Sequence, residues 1–534
     1  MNSAAPARLI LLTGGDSPLA RTLAAALCAD WRVRLFDDHF STPAPEGVEA
    51  VSGDLRDPDA VAAAVSGGEV VLHLDPIAPR PGDETLALDR ATQGSYVLVN
   101  AARQAGVRRL ILGSTLRLFE SLPAHWRITE AWRPRPSTDI AQLRAWLAEV
   151  GVAANTRRGP LLTICLRLGQ VVDEARLADR LFDPFWLHRD DAIHGFQQAL
   201  KFQPQDPDAP HWHVFHLTAP GSRAHLQLAD AHSARPEFGY APSHALGPGA
   251  PETTEPPDPR PWQAVLAPPE MASRPIRNVV VFGAGGPLGA VTARELAATY
   301  RLRLTDARPI ADIIAEAKPQ MLGAPLPTWL GAPHTYQVVD IRDPAQVLAA
   351  CEGMDAIVNC AVVRWVTPGA FQVNTLGMYH LLRAAQAHGI RRIVQTGPLM
   401  VEGPAIVNAA YAGDYDLTEA APPRLFDYLY YHSKALGHEI ARVFAETQGC
   451  EVPVLLFAGL TDPALPGSPD AAFFISWEDA ARAVRRALEI PRLPNPLEFF
   501  HVAVERPQRR FDFSKLKTVL GWQARDGLEH HWRR

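Results

Sequence analysis

The chain carries the same ordered set of sequence landmarks twice. Short runs rich in β-branched residues and leucine alternate with longer helical patterns, from Leu9 onward and again from Ile276. That alternation is typical of βαβ units that build a parallel sheet. The matched segments are 11–15 (LLTGG) and 280–284 (VVFGA), 53–58 (GDLRDP) and 339–344 (VDIRDP), and 100–111 (NAARQAGVRRLI) and 382–394 (LRAAQAHGIRRIV). A shared order over such long stretches indicates an internal duplication.

The fold class predicted from this pattern is α/β, with two tandem Rossmann-like, doubly wound parallel-sheet domains. At 534 residues the chain is too long for one ordinary core, because single domains rarely exceed about 250 residues. We place one domain at residues 1–240 and the other at 276–534. Residues 241–275 are crowded with proline and lack periodicity, which favours an extended linker.

Composition and charge exclude several functional classes. The sequence is 47% hydrophobic and 21% charged, as in globular proteins. A net charge of −6 without a dense Lys/Arg block disfavours nucleic acid or an anionic membrane as a partner. The five cysteines lack metal-ligand spacing, so neither a zinc site nor a disulfide framework is predicted. The N-terminus has no long apolar run before a cleavage site, so we expect a cytoplasmic protein.

A glycine loop opens the second copy. A strand-like run leads into the motif GAGGPLG and then into a helical pattern. Such a loop suits a pyrophosphate, because glycines allow close backbone approach and the helix N-terminus supplies free N–H groups. Glycines alone also occur in ordinary turns, and the strand and helix around them favour the dinucleotide site. Its candidate residues are Gly283, Gly286, Pro287, Leu288 and Gly289.

The strand after this loop ends in a carboxylate. Asp306 closes the run LRLTD about twenty residues beyond the glycines, where a Rossmann fold places an acceptor for the adenosine ribose hydroxyls. This position favours NAD as the cofactor. Arg308 lies two residues further on and could accommodate a 2′-phosphate, so NADP stays possible.

Tyr430 and Lys434 form the candidate reactive pair. Their spacing of four places both on one face of a predicted helix. A phenol with a pKa near 10 needs help to act as a base at neutral pH, and a nearby ammonium can stabilise the phenolate. The tyrosine can then exchange a proton with a substrate hydroxyl while a nicotinamide carries hydride. A surface Tyr/Lys pair is the alternative interpretation.

With these motifs the second copy resembles the extended short-chain dehydrogenase/reductases, the NAD-dependent epimerase/dehydratase family. The resemblance covers nearly all of 276–534 and, more loosely, 9–240. It implies further cofactor contacts at Asp340, Ile341, Cys360, Ala361 and Asn374, and a second role for Lys434 as a ribose anchor. Family members often dimerise through the Tyr/Lys helix, so we predict an intramolecular pseudo-dimer of the two halves.

The second copy departs from the family pattern at three places. Pro398 occupies the usual Ser/Thr position after the fifth strand, and Thr396, two residues earlier, is the candidate substitute. Where the family often has an arginine after the sixth strand, this chain has Ala458. The segment from Gly459 to Ser476 is short, which implies a small pocket and resembles the uronate-dehydrogenase-like branch.

The first copy lacks the reactive pair. Its phosphate loop carries Ser17 and Ala20 in place of the second and third glycines, and no lysine precedes Lys201. We therefore predict a degenerate, non-catalytic Rossmann domain. Its histidine-rich run, His211 to His216, is interpreted as a strand near the sheet edge, with a metal site as the alternative.

The sequence thus predicts an NAD(P)-dependent oxidoreductase that acts on a small hydroxylated substrate, such as a sugar or sugar acid. Tyr430 is its acid/base, Lys434 the residue that tunes it, and Thr396 a candidate oxyanion partner. Two alternatives stay open. One is a nucleotide-sugar epimerase, and the other is a non-catalytic dinucleotide-binding sensor or scaffold.

Overall fold

The computed structural model separates the chain into two compact units, Met1–Leu266 and Ala267–Arg534. It describes residues 8–80, 82–123, 128–157, 159–173, 183, 185–206, 210–220, 236–246, 269–317, 323–399, 417–420, 428–466, 473–506 and 511–531. The division falls inside the predicted linker at 241–275, of which residues 247–268 lie outside the described part of the chain. The domain limits proposed from the sequence stay a prediction.

The N-terminal unit is built on parallel strands. They are β1 (Leu9–Thr13), β2 (Arg32–Asp37), β3 (Glu49–Ser52), β4 (Gly68–His73), β5 (Arg109–Thr115), β6 (Leu162–Leu168), β7 (Gln170–Val172), β8 (Trp186–His188) and β9 (Trp212–Leu217). The helices are α1 (Pro18–Leu27), α2 (Pro58–Val65), α3 (Glu84–Asp89), α4 (Ser95–Gln104), α5 (Ile140–Thr156) and α6 (Arg189–Lys201). Among the described residues, seven strands pair in the order β3-β2-β1-β4-β5-β6-β9, and β7 pairs with β8.

The C-terminal unit repeats this plan. Its strands are β10 (Asn278–Phe282), β11 (Arg301–Asp306), β12 (Thr335–Val338), β13 (Ala356–Asn359), β14 (Arg392–Pro398), β15 (Val452–Phe457), β16 (Leu460–Thr461), β17 (Ile475–Ser476) and β18 (Leu497–Val502). Its helices are α7 (Pro287–Ala297), α8 (Ile310–Glu316), α9 (Pro344–Cys351), α10 (Thr367–Ala370), α11 (Gly377–His388), α12 (Leu429–Gln448), α13 (Trp477–Glu489) and α14 (Ser514–Leu520). The described strands pair in parallel as β12-β11-β10-β13-β14-β15-β18.

The two sheets therefore share one topology. In each, the strand order reverses beside the first strand, between β1 and β4 and between β10 and β13. Open α/β sheets bind ligands at such a reversal, in the crevice outside the carboxyl ends of the strands. The predicted fold class, two doubly wound Rossmann-like parallel sheets in tandem, is confirmed.

The central strands show why the chain folds into parallel sheets. The side chains of Ile10, Leu11 and Leu12 in β1 are fully buried, as are those of Val280 and Val281 in β10. Continuous apolar runs of this kind need helices on both faces of the sheet. No helix in the described part of the chain is long and apolar enough to cross a membrane.

The duplicated Arg-Asp-Pro tripeptides begin equivalent helices. Asp57 caps α2 and Asp343 caps α9, and each carboxylate accepts two backbone N–H groups of the first turn. Proline follows both caps, at a position where a backbone N–H has no partner inside the helix. The sequence repeat is thus a repeat of local structure.

The segment around residue 240 packs on the N-terminal unit. Phe238 stacks on Phe215 of β9, with ring centroids 3.9 Å apart. Ser243 and His244 then donate their backbone N–H groups to the carboxylate of Asp191, at 2.9 and 3.0 Å. The first residues of the predicted linker are therefore packed on this unit.

Candidate active site

The glycine loop of the C-terminal unit is packed too closely for side chains. Gly283 has a φ of +76°, and a Cβ there would lie 2.6 Å from the backbone nitrogen of Ala361. A Cβ on Gly289 would lie 2.0 Å from the carbonyl oxygen of Gly283. These contacts bring the start of α7 against the end of β10 and the segment after β13. The first turn of α7 is thereby held at the carboxyl edge of the sheet.

The N-terminus of α7 is open to an anion. Its cap residue is Gly286, so no side chain accepts a hydrogen bond from the first turn. Pro287 and Leu288 are the first two residues of the helix. In the N-terminal unit the corresponding helix α1 is capped by Ser17, whose hydroxyl accepts a hydrogen bond from the backbone N–H of Ala20 at 3.3 Å. The uncapped N–H groups of α7 suit a pyrophosphate.

Asp306 lies beside this loop at the end of β11. Its carboxylate accepts from the backbone N–H groups of Gly285 at 2.9 Å and Ala307 at 2.8 Å. Burial raises the pKa of Asp306, and these two hydrogen bonds oppose the shift. The carboxylate thus joins the loop to the strand end where the ribose was predicted. Together, the glycine cradle, the uncapped helix and this carboxylate fit an adenine dinucleotide.

Arg308 has a partner of its own. Its guanidinium pairs with Glu316 of α8 at 2.6 Å, and both side chains are exposed. A 2′-phosphate would have to compete with this carboxylate. The arrangement agrees better with NAD than with NADP, since the acidic group at the strand end is retained.

Asp340 and Ile341, two of the predicted cofactor contacts, differ in their surroundings. Asp340 is paired with Arg342 at 2.6 Å, and this hydrogen bond lowers the pKa of its carboxyl group. The side chain of Ile341 is 6% exposed and lies against Gly377 of α11, where a Cβ would be 3.1 Å away. Ile341 therefore belongs to the packing between the β12 and α11 segments.

Asn374 fixes the segment that follows β13. Its side-chain nitrogen donates to the carbonyl of Val363 at 2.6 Å, and its side-chain oxygen accepts from the N–H of Val363 at 3.2 Å. Asn374 also donates to the hydroxyl of Ser433 on α12 at 2.9 Å. It lies in a π-helical stretch, Phe371–Leu376. This residue links the loop beyond Cys360 and Ala361 to the Tyr/Lys helix.

Lys434 is buried at the carboxyl edge of the sheet. Its Nζ donates to the carbonyls of Ala361 at 3.1 Å and Thr396 at 3.3 Å, and the residue is 1% exposed. Burial lowers the pKa of its ammonium to about 7. Lys434 thus links the segment that follows β13 to the last residues of β14.

The hydroxyl of Thr396 is turned into the sheet. It donates to the carbonyl of Asn359 on the neighbouring strand at 2.8 Å, and the residue is 5% exposed. Its proton is therefore committed to the backbone rather than to a substrate. Pro398, at the usual Ser/Thr position, ends β14 and has no donor.

Tyr430 lies near the start of α12, one turn before Lys434 on the same helix face. Its side chain is partly buried, and burial raises the pKa of its phenol. The group that opposes this shift is Arg364, whose guanidinium carbon lies 5.4 Å from the ring centroid. We predicted Lys434 in that role. Arg364 could not be identified from the sequence, because no pattern in the loop after β13 indicates the direction of the arginine side chain.

The equivalent helix of the N-terminal unit carries different side chains. Arg144 of α5 donates to the carbonyl of Asp75 at 2.6 Å. Asp75 follows β4 as Ala361 follows β13, so Arg144 occupies the position of Lys434. Four residues earlier, Ile140 stands where Tyr430 stands in α12. Neither an acid nor a base occupies that position.

An ion-pair network spans the corresponding crevice of the N-terminal unit. Arg80 pairs with Asp37 at the end of β2 at 2.8 Å and with Asp75 after β4 at 2.5 Å. Arg90 pairs with Asp75 at 2.8 Å. Burial acts to raise the pKa of Asp75, but the charges of Arg90 and Arg80 outweigh it and lower that pKa to about 2. Asp37, which ends β2 as Asp306 ends β11, is 1% exposed.

One histidine group in the N-terminal unit was not anticipated. Within the described ranges, ligand atoms of His188, Asp190 and His244 lie within 4.8 Å of one another. The imidazoles of His188 and His244 are stacked, with centroids 3.8 Å apart and planes 19° apart. Stacked rings direct their nitrogen lone pairs side by side rather than toward one point, so we assign no metal there. His213 and His216 lie in the edge strand β9.

Comparison with protein-family models identifies both halves. Residues 14–155 match a model described as NAD(P)H-binding. Residues 279–460 match the NAD dependent epimerase/dehydratase family. The second match spans the glycine loop, Asp306, Tyr430 and Lys434.

Individual relatives include dehydrogenases of sugars and sugar acids. The uronate dehydrogenase of Pseudomonas syringae pv. tomato is 27% identical over 220 residues, which is 41% of this chain and 71% of that protein. The L-arabinose 1-dehydrogenase (NAD(P)(+)) of Haloferax volcanii is 25% identical over 269 residues, covering 47% and 96% of the two chains. Among solved structures, uronate dehydrogenase from Agrobacterium tumefaciens matches 47% of this chain and 86% of its own, at 26% identity and a TM-score of 0.38.

The match to the epimerase/dehydratase model agrees with the geometry of the C-terminal unit. The glycine cradle and the uncapped helix fit a dinucleotide, and the family model covers the strands that carry them. The chain therefore carries, in tandem, a segment that matches an NAD(P)H-binding model and a segment that matches the NAD-dependent epimerase/dehydratase family.

Proposed function

We propose that the C-terminal unit is a dehydrogenase that oxidises a hydroxyl group of a small sugar or sugar acid, with NAD as its preferred cofactor. The observation that carries this proposal is the position of Tyr430 and Lys434. They share one face of α12, and Lys434 donates to the carbonyl of Ala361 after β13 and to that of Thr396 within β14. Relatives that act on uronates and L-arabinose support the substrate class.

In this proposal Tyr430 transfers the proton and Lys434 positions the neighbouring strands. A bound nicotinamide supplies the hydride acceptor. Tyr430 takes the proton from the substrate hydroxyl as the carbon becomes a carbonyl. Lys434 supplies a positive charge on the same helix face and fixes the strand ends beside it. Thr396 receives no role in proton transfer, because its hydroxyl donates to Asn359.

The test is a substrate panel with the full chain. Uronates, aldoses and simple alcohols are incubated with NAD or NADP, and the absorbance of reduced nicotinamide is followed. We expect net reduction of NAD with sugars or sugar acids. Conversion of a nucleotide sugar to its epimer without net cofactor reduction would favour the epimerase. Cofactor binding without turnover of any compound would favour a sensor or scaffold.

We also propose that the N-terminal unit is non-catalytic. Ile140 and Arg144 replace the reactive tyrosine and lysine at the matching positions of α5. The ion pairs of Arg80 with Asp37 and Asp75 cross the crevice that a dinucleotide would occupy. Residues 14–155 match an NAD(P)H-binding model, and in this proposal the ion pairs keep a dinucleotide out of the matching crevice. Its packing against the other half as an intramolecular pseudo-dimer stays a prediction.

This proposal predicts the cofactor stoichiometry. Titration calorimetry of the full chain with NAD is expected to give one bound molecule per chain, because Arg80 closes the N-terminal crevice. Arg90 also pairs with Asp37 at 3.5 Å and with Asp75 at 2.8 Å, so the double variant Arg80→Ala/Arg90→Ala is needed to remove both bridges, and it is expected to bind a second NAD molecule if these ion pairs close the crevice. Two molecules bound per wild-type chain would contradict an occluded N-terminal unit.

A further inference from the structure

An exposed arginine lies at the predicted reactive tyrosine. Arg364 belongs to the loop between β13 and α10, and its guanidinium carbon is 5.4 Å from the centroid of the Tyr430 ring. The side chain is solvent-exposed. Among the residues that the structure describes, no carboxylate forms an ion pair with it. The guanidinium of Arg364 is therefore accessible to an anion from solution.

The loop that carries Arg364 is held by hydrogen bonds at two residues just before the arginine. Ala361 accepts a hydrogen bond from Lys434 at 3.1 Å. Val363 is held by two hydrogen bonds to the side chain of Asn374, at 2.6 and 3.2 Å. The backbone next to Arg364 is therefore tied to α12 and to the π-helical stretch before α11. Such anchoring reduces the entropy lost when the side chain engages a ligand.

The same loop offers an apolar surface beside this charge. The side chain of Trp365 is 78% exposed and that of Val366 is 61% exposed. Tyr428, just before α12, is 41% exposed. Aromatic faces of this kind suit the apolar face of a sugar ring or a hydroxylated carbon chain. The surroundings of Arg364 thus combine a positive charge with flat apolar contacts.

The chemistry of arginine narrows the type of anion. A guanidinium presents parallel N–H donors that match the two oxygens of a carboxylate. Arg364 is an exposed guanidinium beside Tyr430, so it can present these donors to a substrate whose hydroxyl lies at the tyrosine.

We propose that Arg364 binds the carboxylate of a hydroxy acid whose hydroxyl lies at Tyr430, so that the loop after β13 selects acidic over neutral substrates. This inference rests on the proposed function and names the substrate class of the same site. Arg364 is a specificity residue in this assignment, and proton transfer stays with Tyr430.

The experiment compares matched substrates that differ only in the acidic group. Glucuronate is paired with glucose and galacturonate with galactose, and both pairs are assayed with wild type, Arg364→Gln and Arg364→Lys. We expect Arg364→Gln to raise KM for the uronates by about 10- to 100-fold, the range lost with charge-assisted hydrogen bonds. KM for the neutral sugars is expected to stay within about twofold, whereas kcat is expected to fall by the same factor on both kinds of substrate, because Arg364 also opposes the raised pKa of Tyr430. Arg364→Lys should recover part of the loss, since it keeps the charge but not the fork.

The neutral sugars separate binding from an effect on Tyr430. An equal rise of KM for uronates and neutral sugars in Arg364→Gln would overturn the inference, because Arg364 would then not recognise the acidic group. A wild-type preference for neutral sugars, or for the corresponding sugar phosphates over uronates, would also overturn it. Those results leave the dehydrogenase proposal standing. Absence of turnover with every substrate would instead reject the proposed function itself.

Discussion

Gly289→Ala is expected to lower the melting temperature and to remove measurable NAD binding. The added methyl group would lie 2.0 Å from the carbonyl oxygen of Gly283 and 2.8 Å from the Cα of Ala284. Both neighbours are backbone atoms, so the loop or the start of α7 must move. Overpacking of this kind costs about 1–3 kcal/mol. Calorimetry of the unfolding transition and titration with NAD measure the two effects.

Gly286→Ala is the matched control in the same loop. Gly286 has φ and ψ values of −79° and 161°, which alanine adopts without strain. Its added Cβ would meet only the carbonyl oxygen of Gly283, at 3.5 Å. We expect a wild-type melting temperature with weakened NAD binding, because the methyl group obstructs the approach of a pyrophosphate. Wild-type NAD affinity in both variants would show that this loop is not the cofactor site.

The fold was predictable because its signals are local and repeated. Apolar runs such as those in β1 and β10 specify buried parallel strands, and the Arg-Asp-Pro tripeptides specify helix starts at Asp57 and Asp343. Gly283 and Gly289 indicate a turn at which the backbone leaves no space for a Cβ atom. Each signal depends on a few neighbouring residues, and the duplication presents most of them twice.

The site was predictable only where spacing along one helix decides the geometry. Tyr430 and Lys434 share a helix face because they are four residues apart. The partner of Tyr430 could not be found in this way, since Arg364 reaches it from a loop far away in sequence. The direction of the Thr396 hydroxyl depends on its neighbouring strand. Contacts of this type are set by tertiary packing.

The absence of the Tyr/Lys pair from the first copy was visible in the sequence, but the side chains that occupy its place were not. The sequence shows that no tyrosine or lysine is present in α5. It does not show that Arg144 bonds where the lysine would, or that Arg80 bridges Asp37 and Asp75. Arg80 thereby joins the end of β2 to the segment after β4, and Arg144 joins that segment to α5.

Tyr430→Phe is expected to reduce kcat by about 10²- to 10⁴-fold, the usual contribution of a positioned acid/base. The substitution removes only the hydroxyl and keeps the ring that Arg364 contacts. NAD affinity and melting temperature are expected to stay at wild-type values. Tyr431→Phe is the matched control, because it removes a hydroxyl from the next residue of α12.

The central claim is that one hydroxyl, on Tyr430, carries proton transfer for the whole chain. The most direct measurement is the rate of NAD reduction by the full chain with a saturating sugar or sugar acid, for wild type, Tyr430→Phe and Tyr431→Phe. We predict that only Tyr430→Phe loses turnover while all three proteins bind NAD equally. Retention of wild-type turnover by Tyr430→Phe would contradict the assignment and place the chemistry elsewhere in the chain.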